Sequence, residues 1–150
     1  MTNAEAIREC VHRNGDTFDF SEVLFDGALL KASCDEVYSM FDREVFDYVM
    51  GIGGSTGIVL ASHVATRMGK GLVALSASDD CPSRMEGVDG RKVVIIGDSL
   101  TDGVSQKNAV DLIERSGGNV IKMGFLSEIK EVNARKKMLR PYPVESLIIY

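Results

Sequence analysis

The chain is predicted to be one α/β domain spanning residues 1–150, a mostly parallel sheet flanked by helices in a Rossmann-like three-layer arrangement. Three observations carry this. Val93-Val94-Ile95-Ile96 is a run of β-branched residues with the character of a strand covered on both faces, as in parallel sheets. Strand-like runs alternate with helical patterns several turns long, which implies right-handed βαβ units. Two glycine-containing loops, 51–57 and 97–105, each follow a strand and precede a helix. Ligands of such sheets bind beyond the carboxyl ends of the strands, so both loops can share one edge and one site.

Taken in order, Ala4 to Arg13 reads as a short helix stopped by Asn14-Gly15. Val23 to Leu30, interrupted by Asp26-Gly27, reads as a short strand or hairpin. Ser33-Cys34-Asp35-Glu36 has the form of a capping box, predicting a helix from about Asp35 to Val45 with Val37, Met40 and Phe41 inward. Phe46 to Met50 is the next strand. The 51–57 loop leads into a helix through Arg67, closed by Gly69. Leu72 to Leu75 is a strand, and residues 76–90 form a loop before the Val93 strand. A helix from Ser105 to Arg115 ends at Ser116-Gly117-Gly118, followed by a strand from Asn119 to Phe125. A charged helical segment from Glu128 to Met138, Pro141-Tyr142-Pro143, and a strand from Leu147 to Tyr150 complete the pattern.

Composition narrows the function classes. With 45% hydrophobic residues in 150, the chain can bury a sizeable core. Seventeen basic against twenty-two acidic residues give a net charge of −5, which argues against a nucleic-acid surface. Arg135-Lys136-Lys137 reads as a solvated helix face. No apolar stretch approaches the roughly 18 residues of a membrane span, so a soluble, cytoplasmic protein is expected. Cys10, Cys34 and Cys81 share no metal-ligand or disulfide spacing and read as reduced thiols. His12 and His63 are isolated, and the methionines read as core filler.

Chemistry concentrates in the two loops. Val93 to Ser105 is strand, then Gly97-Asp98-Ser99-Leu100-Thr101-Asp102-Gly103-Val104, then helix. Unpaired N–H groups and the dipole at such a helix start attract anions. Gly51-Ile52-Gly53-Gly54-Ser55-Thr56-Gly57 permits close backbone approach to a ligand. Its glycines either serve that approach or make a tight turn. Thr56 breaks a strict dinucleotide fingerprint, and Gly71 after Gly69-Lys70 excludes a P-loop.

Residues 93–105 resemble the phosphoribosyl-pyrophosphate (PRPP) signature of type I phosphoribosyltransferases: apolar residues, an acidic pair, then a Thr/Gly/Ser phosphate loop. The 51–57 loop resembles that family's pyrophosphate loop, and the tail from Phe125-Leu126-Ser127-Glu128 to Tyr150 is similar to the ending of the adenine enzymes. The resemblance implies the family's fold and transfer of phosphoribose from PRPP to a nucleobase, purine or orotate, with release of pyrophosphate. It assigns Asp98 to the ribose hydroxyls. Thr101, Asp102, Gly103, Val104 and Ser105 would hold the 5′-phosphate, and Gly53, Gly54, Ser55, Thr56 and Gly57 the pyrophosphate. Mg²⁺ is implied as a cofactor held through PRPP rather than by the protein directly, and the expected partners are PRPP or a nucleoside 5′-monophosphate, a nucleobase, and a second copy of the chain in a homodimer, with neither nucleic acid nor membrane.

Three positions depart from the family pattern. Gly97 stands where the first acid is expected. Asp102 stands where a Thr is usual, and a carboxylate a few ångströms from a phosphate costs on the order of a few kcal/mol at an effective dielectric near 20. The basic pair expected after the second strand is missing: Leu75-Ser76-Ala77-Ser78 leads into a loop whose only base is Arg84, either a cation for the leaving group or a solvated arginine. A nucleotide-binding sensor without turnover is therefore the alternative reading. A small dinucleotide binder would leave the 93–105 pattern unexplained.

Overall fold

The computed structural model describes residues 1–76 and 84–150. Its centre is a five-stranded, all-parallel sheet. The strands are β3 (Tyr48–Gly53), β4 (Gly71–Ser76), β5 (Lys92–Leu100), β6 (Asn119–Glu128) and β7 (Val144–Ile149), in spatial order β4-β3-β5-β6-β7. Two strands precede these: β1 (His12–Asn14) and β2 (Thr17–Asp19) form a separate antiparallel hairpin. The helices are α1 (Asn3–Cys10), α2 (Ser21–Phe25), α3 (Gly27–Ser39), α4 (Ser55–Met68), α5 (Val104–Arg115) and the short α6 (Ala134–Lys137).

The run at 93–96 behaves as its composition demands. Val94 and Ile96 enter one core with Val37 and Phe41 from the α3 side and Leu60 and Val64 of α4, while Val93 and Ile95 enter a second with Ala109, Val110 and Ile113 of α5. Both faces are thus covered, and the three-layer α/β prediction holds. Alternation along β5 also decides which way its last residues point: Asp98 follows Ile96 toward the α4 side, and Gly97 follows Ile95 toward α5.

Several expected boundaries are corrected. The first helix stops at Cys10, because Val11 is already extended; it starts on an unpredicted capping box between Thr2 and Glu5. Asn14-Gly15 is the turn of a hairpin, with Gly15 at φ 61°, rather than a helix stop. Residues 23–30 belong to two helices, not a strand, parted by the extended Asp26, whose carboxylate accepts from the N–H groups of Ala28 and Leu29 and caps α3. Ser33 is accordingly not a cap but a buried mid-helix residue whose hydroxyl has no partner among the described residues. That helix ends at Ser39, yet Val37, Met40 and Phe41 are buried as expected, while Val45 is exposed.

Toward the ligand edge the strands run longer than predicted. β3 begins at Tyr48 and continues through the glycines, Gly51 pairing with Ala74 on one side and Ile96 on the other. β5 continues through Asp98 to Leu100 in register with β6, Gly97 opposite Phe125 and Ser99 opposite Ser127. Ladder hydrogen bonds on both sides override the turn propensity of glycine there. β6 reaches Glu128, and β7 begins at Val144. The charged segment expected to be one helix is a 3₁₀ turn (Lys130–Val132) and α6, separated by Asn133 at φ 57°. Arg135 of α6 grips the buried Glu128 carboxylate through Nε and Nη2 at 2.6–2.9 Å, and Ser146 donates to the same carboxylate at 2.7 Å. This pins α6 and β7 to the end of β6.

Glycine is a packing requirement where α4 meets the sheet. A Cβ at Gly57 would overlap the Ile52 carbonyl oxygen and stand 3.1 Å from the Asp98 nitrogen, and one at Gly51 would stand 2.7 Å from the Ala61 Cβ. Gly57→Ala is expected to lower stability by about 3 kcal/mol or more, since backbone cannot yield as a side chain does; urea denaturation measures this, and a loss under roughly 1 kcal/mol would contradict the packing.

Candidate active site

The carboxyl ends of β3 and β5 deliver the two glycine loops to one place. Gly53, at φ 97°, and Gly54 lie directly against the Asp98 carboxylate: a Cβ at Gly53 would be 2.8 Å from Oδ1 and one at Gly54 would be 3.5 Å from Oδ2. The carboxylate is half-buried and accepts hydrogen bonds from the N–H groups of Gly54 and Ser99, and from Ser99 Oγ at 3.2 Å. Burial pushes its pKa above the usual carboxylate range, and these hydrogen bonds oppose the rise. The Asp98 and Ser99 carbonyls are held in turn, by Ser127 Oγ at 3.4 Å and by Nε2 of the buried Gln106 at 3.3 Å.

Both helices behind the loops begin on glycine, Gly54 for α4 and Gly103 for α5, and neither glycine can cap with a side chain. Their first-turn N–H groups lack intrahelical partners. In the first loop Ser55 is exposed and Thr56 buried, so Ser55 offers its hydroxyl to the edge and Thr56 turns inward. In the second, Thr101 is half-buried, Val104 and Ser105 are exposed, and Gly103 is buried at φ 81°. Asp102 Oδ1 accepts from the Val104 N–H at 3.0 Å.

The absence of an acid at position 97 has a physical reason. A Cβ there would stand 3.0 Å from Phe125 Cε1 and 3.3 Å from Ile52 Cγ1, and Phe125 is fully buried. An aromatic ring fills the room a side chain would need. Arg84 is placed elsewhere: it lines a cleft with Met85, Glu86 and Ser116, and the Met85 N–H donates to Ser116 Oγ at the far end of α5 from the phosphate loop. Of the loop expected over 76–90, residues 77–83, Cys81 among them, lie outside the described residues. His63 is on α4 beside Asp35 at 3.7 Å, with its ring edge-on to Tyr38, away from the two loops.

Sequence reading missed Ser99, Gln106 and Ser127 as supports of Asp98. The available signal was their polarity in otherwise apolar strand and helix positions.

An all-parallel sheet carrying two helix-leading loops at one edge defines the class: an α/β protein that takes its ligand beyond the carboxyl ends of the strands. No protein-family model matches the chain. The adenine phosphoribosyltransferase of Desulforamulus reducens is 30% identical over 152 residues, covering 87% of this chain and 86% of that protein. That of Nitrosopumilus maritimus is 28% identical over 151 residues, 88% of each. The solved adenine phosphoribosyltransferase of Rhodothermus marinus superposes with a TM-score of 0.85 at 21% identity, covering 99% of this chain and 98% of that one; that of Thermoanaerobacter pseudethanolicus gives 0.85 at 24%, covering 97% and 99%. The chain belongs to the type I phosphoribosyltransferase family, among the adenine phosphoribosyltransferases.

Because folding raises the Asp98 pKa, the native state holds a proton there more tightly than the unfolded chain, and stability falls as pH rises from the unfolded value, about 3.9, through the higher folded one. Asp98→Asn is therefore expected to be more stable than the parent at pH 7, with the advantage vanishing as pH drops below about 4. Thermal denaturation across pH measures it; a parent and variant with parallel pH profiles would contradict the burial.

Proposed function

We propose that the chain transfers phosphoribose from PRPP to a purine base, adenine foremost, forming a nucleoside 5′-monophosphate and pyrophosphate. The observation that carries this is the Asp98 carboxylate set between two helix-leading loops in a chain of the adenine phosphoribosyltransferase family. In the reaction the bond from ribose C1′ to pyrophosphate breaks, positive charge develops on the ring, and a base nitrogen bonds to C1′.

Each group has a role matched to its place. Asp98 accepts from the ribose hydroxyls, and its charge faces the developing oxocarbenium. The loop Thr101, Asp102, Gly103, Val104 and Ser105 receives the 5′-phosphate through backbone N–H groups and hydroxyls. Gly53, Gly54, Ser55, Thr56 and Gly57 approach the pyrophosphate, where oriented backbone donors stabilise the charge that accumulates on departure.

In this reading Mg²⁺ is an ion carried in by substrate rather than caged by protein. Bound with PRPP oxygens, Mg²⁺ would offset the charge of the leaving group. The reading extends to a cytoplasmic homodimer that binds neither nucleic acid nor membrane. The net charge of −5 weighs against a nucleic-acid partner.

Incubation with PRPP, Mg²⁺ and adenine is expected to yield AMP and pyrophosphate in equal amounts. Asp98→Ala should weaken AMP binding about tenfold or more, the worth of hydrogen bonds to a charged group. AMP binding by calorimetry with no turnover on any base would instead assign a ligand-binding protein.

A further inference from the structure

We propose that Asp102 is a specificity-determining residue: its carboxylate is a built-in occupant of the phosphate loop, which the 5′-phosphate displaces in order to bind. The inference rests on the reading that residues 101–105 receive that phosphate.

Asp102 Oδ1 takes the Val104 N–H at 3.0 Å, a first-turn donor of α5 that a phosphate oxygen would otherwise accept from. The loop backbone beneath it is pinned. Gly103 is buried, and a Cβ on it would stand 3.0 Å from both the Ala134 and Met138 Cβ atoms, so α6 closes the space into which the loop could shift. Asp102 itself is exposed. The part free to move is the carboxylate, by rotation into solvent.

Among the described residues Asp102 forms no ion pair. The loop 101–105 contains no base, Lys107 on the following turn is engaged by Asp111 at 2.9 Å, and Arg135 of α6 is engaged by Glu128. Within the first loop, residues 51–57 carry no carboxylate of their own, the nearest being Asp98 against Gly53 and Gly54. Asp102 therefore penalises a ligand in proportion to the negative charge it brings to the second loop and leaves a 5′-hydroxyl ligand unaffected.

Calorimetry on the full chain with AMP, ribose 5-phosphate and adenosine tests this in the parent, Asp102→Ala, Asp102→Thr and Asp102→Asn, with Asp98→Asn as a control on the site. Expected are affinities for AMP and ribose 5-phosphate about tenfold higher in Asp102→Ala and Asp102→Thr, an intermediate gain in Asp102→Asn, and unchanged adenosine binding. The Thr variant retains a hydroxyl acceptor for the turn, and its Tm and circular dichroism report that the fold is kept. Equal or weaker AMP binding by a folded Asp102→Thr overturns the inference. If Asp98→Asn still loses affinity in that case, the site reading stands and only the role of Asp102 falls; if no form binds AMP or ribose 5-phosphate, both fall.

Discussion

The close approach of the β3 glycines to the Asp98 carboxylate is the contact on which the whole site depends. Parallel pairing of β3 with β5 keeps their carboxyl ends level, Ile52 opposite Gly97, and at Gly53, with φ 97° and a Cβ position 2.8 Å from Oδ1, only a residue without a side chain can turn over the carboxylate. The same absence of side chains lets α4 descend onto the sheet and present its first turn beside Asp98. Site geometry and core packing are thus one constraint. A half-buried carboxylate is costly unless its oxygens are satisfied, and the donors from Gly54 and Ser99 offset that cost while leaving the group on the ligand edge.

Strand alternation then sorts the family signature into two unlike halves. The residue facing α4 keeps its acid, and the one facing α5 has lost it to the Phe125 ring. One carboxylate, Asp98, thus remains at the end of β5, its backbone supported from behind by Ser127 and Gln106. Gln106 belongs to the first turns of α5, so the helix that begins at the phosphate loop also holds the strand that carries Asp98. The 101–105 loop and the Asp98 strand end are mechanically joined.

The architecture was legible because its signals are strong and redundant. Four β-branched residues at 93–96 admit no amphipathic reading, and glycine loops followed by helical periodicity recur twice. The N-terminal third was misread where one residue type serves two purposes: Asp26-Gly27 is equally a turn and an N-cap start, and Ser33 with Glu36 has capping spacing inside a helix whose burial overrides it. Strand ends at 51–53 and 97–100 were hidden because glycine and aspartate favour turns locally, whereas ladder bonds from both neighbours hold them extended. In the site, Asp98 and the two loops were visible in sequence. The turn made by Asp102 and the filled space beside Gly97 were not, since both arise from contacts with residues distant along the chain or from a side-chain rotamer.

The central claim is that Asp98 and the two loops form a single phosphoribosyl site. A crystal structure with AMP tests it most directly. The account predicts the ribose hydroxyls on Asp98 and the phosphate on the N–H groups at 103–105, with the Asp102 carboxylate swung away. AMP bound elsewhere, for instance in the cleft of about 880 Å³ lined by Lys130, Lys136 and Tyr150, with the Asp98 edge empty, would contradict it.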